Sequence, residues 1–131
     1  MASILVIEDD NQLREIVRKI LEVRGHRISL ASNGIEGLRL FRTVHPDLVI
    51  TDIVMPVKEG LDTIRLLRTW TPNAKIIAMS GGLLAREKNP LAAAKQLGAS
   101  KVLAKPFRAE QLRAIVDECL AEHCDPSAAP C

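Results

Sequence analysis

Three short aliphatic runs in this chain are apolar on nearly every side: Ser3-Ile4-Leu5-Val6-Ile7, Asp47-Leu48-Val49-Ile50-Thr51 and Ala74-Lys75-Ile76-Ile77-Ala78-Met79. A strand with one wet face alternates polar and apolar residues. A run without alternation belongs in the middle of a parallel sheet covered on both sides. Arg27-Ile28-Ser29-Leu30-Ala31 does alternate and reads as an edge strand, and Lys101-Val102-Leu103-Ala104 makes a fifth strand. Helical patterns fill the intervals. Leu13, Ile16, Val17, Ile20 and Leu21 keep the 3.6-residue period over 10–24, and Gly25 suits the end of that helix. Asn33 caps a second helix carrying Ile35, Leu38 and Phe41. A third carries Leu61, Ile64 and Leu67, ends near Trp70 and is stopped by Thr71-Pro72. A short fourth starts at Asn89-Pro90 and ends at Gly98, and a fifth buries Leu112, Ile115, Val116, Cys119 and Leu120.

Five strand–helix units imply right-handed crossovers with helices on both faces. The expected fold is α/β: a flavodoxin-like, doubly wound, five-stranded parallel sheet in the order 2-1-3-4-5 with five helices. At 131 residues the chain is one domain, large enough for a core without staples. Aromatic residues are only 2% of it, so aliphatic side chains fill that core. The net charge of +2 comes from lysines and arginines scattered among acids, with no basic run to track a phosphate backbone, so nucleic acid is not an expected partner. The first apolar run stops at Glu8, too short for a leader or a membrane span, and a cytoplasmic location follows. Cys119, Cys124 and Cys131 form no disulfide framework. The expected domain is 1–124, followed by a flexible Pro-, Ala- and Ser-rich tail over 125–131, with no room beyond the fifth helix for an effector domain.

The strand ends carry the chemistry. The first strand runs into Glu8-Asp9-Asp10, the third into Asp52, the fourth into Ser80 and the fifth into Lys105. In open parallel sheets, ligands bind beyond the carboxyl ends of the strands where the strand order reverses. With the first and third strands adjacent, Glu8, Asp9 and Asp52 converge. Like charges about 4 Å apart repel by roughly 4 kcal/mol at an effective dielectric of 20, so such a cluster needs a proton or a cation. Hard carboxylate oxygens with room for water suit Mg²⁺, and the backbone carbonyl of Val54 could add an oxygen. Lys105 supplies a compact positive charge and Ser80 a hydroxyl donor. A carboxylate nucleophile, a metal and a cation are the parts that phosphoryl transfer uses, and Asp52 is the best-placed nucleophile.

Plainer readings compete. Asp10 is better explained as a helix N-cap than as a ligand. Glu8 and Asp9 alone could be acids favoured by a helix dipole, a reading that loses force once Asp52 joins them. Cys119 and His123 lie four apart beside Cys124, but Cys119 falls on an apolar stripe and reads as core. Trp70 reads as packing. A metal-dependent phosphatase with an aspartate nucleophile wants a general acid two residues later, where Val54 stands. A flavin binder wants a hydroxyl- or glycine-rich loop after the first strand, where this chain has acids.

The pattern resembles the receiver domain of two-component response regulators, the family that includes the bacterial chemotaxis regulator. The matching stretches are Ile4-Leu5-Val6-Ile7-Glu8-Asp9-Asp10, Pro46 through Pro56 with Gly60, Ile76-Ile77-Ala78-Met79-Ser80, Leu97-Gly98-Ala99 and Lys105-Pro106-Phe107. Five motifs in order over about residues 3–122 make a specific match. The resemblance implies that Asp52 accepts a phosphoryl group from a sensor histidine kinase or a histidine phosphotransfer protein. It implies that Glu8 (through water), Asp9, Asp52 and the Val54 carbonyl hold Mg²⁺. Ile53, Val54 and Gly81 offer backbone contacts to the phosphate, while Ser80 and Lys105 engage the phosphoryl oxygens. It further implies a cis Lys105-Pro106 bond and a downstream target protein bound on the face of the fourth helix, fifth strand and fifth helix. Such a domain catalyses only its own phosphorylation and dephosphorylation. The family's aromatic switch position in the fifth strand is Val102 here, and Val54 stands where an apolar side chain shields an acyl phosphate from water. The alternative is a receiver-like interaction module that works without phosphorylation.

Overall fold

Strand β1 (Ser3–Ile7) is wholly enclosed from its second residue onward, as its unbroken aliphatic sequence requires. The computed structural model describes residues 2–53, 60–80 and 98–121, and the side chains of residues 60, 61 and 80 fall outside that description. The other elements are α1 (Asn11–Val23), β2 (Arg27–Ala31), α2 (Gly34–Val44), β3 (Leu48–Asp52), α3 (Gly60–Trp70), β4 (Ile76–Ser80), β5 (Lys101–Ala104) and α4 (Ala109–Ala121). The predicted fourth helix, at 89–98, lies almost wholly outside the described residues, so α4 corresponds to the predicted fifth. The sheet is parallel throughout and ordered β2-β1-β3-β4-β5. The alternating β2 is at an edge, as its pattern requires.

Two aliphatic cores sandwich the sheet. On one face Leu5, Ile7, Val49 and Ile76 meet Leu38 and Phe41 of α2 and Ile64 and Leu67 of α3. On the other face Ile4, Val6, Ile50 and Ile77 meet Val17 and Leu21 of α1 and Leu112, Val116 and Cys119 of α4. Cys119 is buried there, as its place on the apolar stripe indicates. Burying a Leu or Ile side chain stabilises by roughly 1.5–3 kcal/mol, so these layers supply the main driving force.

Local signals set the helix ends. The Asp10 carboxylate accepts from the backbone N–H groups of Gln12 and Leu13, at 2.9 and 3.2 Å, and starts α1. Gly25, just past the end of α1, takes φ +87°, a left-handed conformation that costs glycine little. Asn33 caps α2 by accepting from Glu36 N–H at 2.9 Å. Gly37 lets α2 approach β1 closely, because a Cβ there would stand 2.4 Å from Ile7 Cδ1.

The structure corrects several side-chain placements. Ile16 and Ile35, both on predicted apolar faces, are 52% and 60% exposed, because each sits at the margin of its helix's buried stripe. Trp70 was expected as packing, yet it is 42% exposed, with the Arg42 guanidinium carbon 5.1 Å from its ring centroid. At the opposite end of the sheet from the acids, Arg68 of α3 donates to Pro72 O at 2.7 Å and to Gly98 O at 3.0 Å. It thereby joins the turn before β4 to the approach to β5.

Candidate functional site

The carboxyl ends of β1, β3 and β5 meet in one acidic pocket. Glu8 continues the sheet past β1, its N–H donating to Ala31 O at 3.0 Å. That bond turns its side chain into the interior, where it is fully buried. A buried carboxylate needs partners on both oxygens. Glu8 Oε2 accepts from Asp9 N–H at 3.0 Å, and Oε1 accepts from Lys105 Nζ at 2.6 Å. Asp52 is the last residue of β3, paired with Met79 of β4, and is only 6% exposed. Its Oδ2 accepts from the same Lys105 ammonium at 3.0 Å. Lys105 follows β5 directly, and its bond to Pro106 is cis, as expected.

Asp9 is exposed at the mouth of the pocket. One carboxylate oxygen from each of Glu8, Asp9 and Asp52 lies within 4.8 Å of the others. Three carboxyl groups against one ammonium leave up to two negative charges in excess, and a divalent cation cancels that excess. The donors are hard oxygens, one of them open to solvent, which suits an ion that retains water. The residues present therefore fit a hard divalent metal.

The electrostatics of the cluster follow first from its burial. Burial pushes the Glu8 carboxyl up to about 7; the hydrogen bond from Lys105 opposes this and the Asp52 charge adds to it. Burial alone would lower the Lys105 ammonium, but its bonds to Glu8 and Asp52 outweigh burial and hold it above its ordinary value. A lysine that stays charged and a glutamate poised between forms is what this geometry produces.

Glu8, Asp9, Asp52 and Lys105 are thus brought together as the sequence suggested, while Asp10 is occupied as the α1 cap. Ser80 ends β4 opposite Ala104, at the same end of the sheet. Val54 and Gly81 lie outside the described residues, as do Met55, His123, Cys124 and the tail from Asp125. Ile53 is buried and its N–H donates to Met79 O at 3.2 Å, so a phosphate contact through that N–H exchanges this bond. Val102 sits opposite Ala78 and is half-buried against the core beneath α2 and α3. Sequence reasoning missed Arg14. Its Nη1 donates to the Glu8 carbonyl at 2.7 Å from the first turns of α1 and steadies the residue that carries the buried acid. Only its place on the turn nearest the strand end hinted at this.

A doubly wound α/β domain with an acidic pocket and a bridging lysine at its topological switch point defines a class of signalling domain. The comparisons agree. The model of the response regulator receiver domain matches residues 4–117, and the chain belongs to that family. It is 35% identical over 111 residues to the response regulator MprA of a Mycobacterium species (strain KMS), covering 85% of this chain and 47% of that protein. It is 33% identical over 131 residues to the DNA-binding transcriptional regulator NtrC of Azospirillum brasilense, covering 98% of this chain and 26% of that protein. The chain therefore spans about half or less of these relatives. Among solved structures, a response regulator receiver domain protein from Clostridium thermocellum superposes with a TM-score of 0.82 at 33% identity, covering 92% of this chain and 94% of that one. The chemotaxis response regulator CheY4 of Vibrio cholerae gives 0.80 at 26%, covering 91% and 98%. Receiver domains are phosphoryl-accepting signalling domains rather than turnover enzymes, and they interact with histidine kinases and downstream effectors. Among the described residues no helix is long and apolar enough to cross a membrane.

Proposed function

We propose that this chain, with residues 1–124 as its receiver domain, is a phosphorylation switch whose phosphoacceptor is Asp52. The observation that carries the reading is the Asp52 carboxylate at a central strand end, held 3.0 Å from Lys105 Nζ beside Glu8 and Asp9. An Asp52 oxygen attacks the phosphorus of a phosphohistidine on a sensor kinase or a histidine phosphotransfer protein. The P–O bond forms as the P–N bond breaks, and the electron pair returns to the imidazole, which takes up a proton. Lys105 holds the Asp52 carboxylate in place before transfer and pairs with a phosphoryl oxygen afterwards. The Ser80 hydroxyl donates to another. Glu8 (through water), Asp9, Asp52 and the Val54 carbonyl would hold Mg²⁺, which would supply charge neutralisation for the transferring group. Hydrolysis of the acyl phosphate resets the switch, and Val54 limits the access of water.

The partners proposed are the phosphodonor protein and a downstream target. The target docks on the face made by the predicted fourth helix, β5 and α4, with Val102 at the usual switch position. A cytoplasmic location without nucleic-acid binding completes the reading. The test is incubation with acetyl phosphate and Mg²⁺, followed by intact mass. The expected product is a base-labile adduct of one phosphoryl group, absent from Asp52→Asn and absent when EDTA removes the metal. An adduct of equal yield on Asp52→Asn would overturn the assignment.

A further inference from the structure

The groove between α2 and α3 shares no residue with the acidic pocket. Its volume is about 550 Å³. The α2 side presents Ile35, Leu38, Arg39 and Arg42 at successive turns, and the α3 side presents Leu66 and Trp70, four residues apart. These spacings make two ridges side by side, about two turns long on α2 and about one turn on α3, the shape that accepts a third helix. Leu38 is buried and Leu66 half-buried at the floor, while Ile35 and Trp70 are 60% and 42% exposed, unusually open for side chains of their kind.

The charge along this groove is of one sign. Arg39 and Arg42 line it, and no acid does. Among the described residues, neither guanidinium is in an ion pair. Arg42 instead rests over the Trp70 ring, 5.1 Å from its centroid. Its place in the last turn of α2 also suits the helix dipole, but Arg39 lies a turn earlier and gains little from that. The acid of the first turn of α2, Glu36, is engaged by the Ser32 hydroxyl at 2.9 Å and faces away from the groove lining. An apolar floor with two unneutralised guanidiniums along one rim calls for apolar anchors flanked on one side by carboxylates.

We propose that the α2–α3 groove docks an amphipathic helix of a partner protein, with an apolar stripe seated on Ile35, Leu38, Leu66 and Trp70 and acidic residues paired with Arg39 and Arg42. The inference does not rest on phosphoryl transfer, and Asp52→Asn leaves it intact. Trp70 is the single tryptophan of the chain, so its fluorescence reports on the groove directly. The probes are two synthetic helices with leucines at every third and fourth position, one flanked by glutamates and the other by lysines. The glutamate helix shifts Trp70 emission saturably, gives a matching calorimetric isotherm and weakens as salt rises. Against Arg39→Glu/Arg42→Glu its affinity falls at least about tenfold, and the lysine helix binds that variant better than it binds the original protein. Both substituted positions are exposed, and circular dichroism confirms that the variant is folded. Equal binding of both helices to the original protein would reduce the groove to apolar adhesion and overturn the proposal. So would the absence of an isotherm for the glutamate helix, or Trp70 emission that changes with protein concentration alone, which would assign the groove to a second copy of the chain.

Discussion

Replacing Lys105 with methionine keeps the length of the side chain and its packing stem but removes the charge that two buried carboxylates share. The ammonium lies 2.6 Å from Glu8 Oε1 and 3.0 Å from Asp52 Oδ2. At an effective dielectric of 20, those separations correspond to gross attractions of about 6 and about 5.5 kcal/mol. Most of this offsets the desolvation of three charges. Removing one partner of a buried ion pair leaves about 3–5 kcal/mol uncompensated. In metal-free protein at pH 8 the expected loss is therefore about 4 kcal/mol, a drop in melting temperature of about 15 °C. At pH 5 Glu8, pushed up to about 7, is already protonated in the parent protein and needs no counter-charge. The loss there shrinks to about half, leaving the Asp52 interaction alone. Urea denaturation of both proteins in EDTA at the two pH values measures this directly. An identical loss at pH 5 and pH 8, or a loss below about 1 kcal/mol at pH 8, would refute the shared-charge account.

Three further outcomes follow from the same coordinates. The raised Glu8 carboxyl favours its protonated form in the folded state, so its contribution is fully present below about 4.5 and is lost as pH rises through about 7, a swing of about 3 kcal/mol. Glu8→Gln removes that swing, and the difference between the two metal-free urea profiles from pH 4.5 to 8 isolates it; parallel profiles would contradict the burial argument. Mg²⁺ at about a hundred times its dissociation constant raises stability by about 2.7 kcal/mol in calorimetric melts, and Asp9→Asn, which spares the lysine bridge, loses most of that gain. Gly37→Ala drives a Cβ to 2.4 Å from Ile7 Cδ1 and 2.7 Å from Ile7 Cγ1; overpacking of about 2 kcal/mol outweighs about 1 kcal/mol of helix propensity, for a net loss of about 1 kcal/mol in urea denaturation.

The sheet was legible because its central strands are almost purely aliphatic. Nothing but burial on both faces suits Ile4 through Ile7 or Leu48 through Ile50. Strand ends slipped by a residue or two, since backbone pairing continues through polar side chains: Asp52 still pairs with Met79, and Ser80 with Ala104. The periodicity that found the helices could not rank residues within a stripe, so Ile16 and Ile35 were placed inside although each lies at a margin. The acids were legible because carboxylates at adjoining strand ends must meet once the strand order is known. The bond between Lys105 and Glu8 spans 97 positions and depends on a side-chain trajectory that spacing does not encode. Arg14 escaped for the same reason, because its target is a backbone carbonyl.

The Arg68 guanidinium grips the chain where it enters β4 and where it approaches β5, at the end of the sheet opposite the acidic pocket. The strand β5 is fastened at its other end too, where Lys105 reaches Glu8 and Asp52. The two fastenings differ in kind: Arg68 holds backbone carbonyls, whereas Lys105 holds the carboxylate that the proposed phosphoryl transfer would alter. Chemistry at the pocket therefore loosens one end of β5 while the other stays tied.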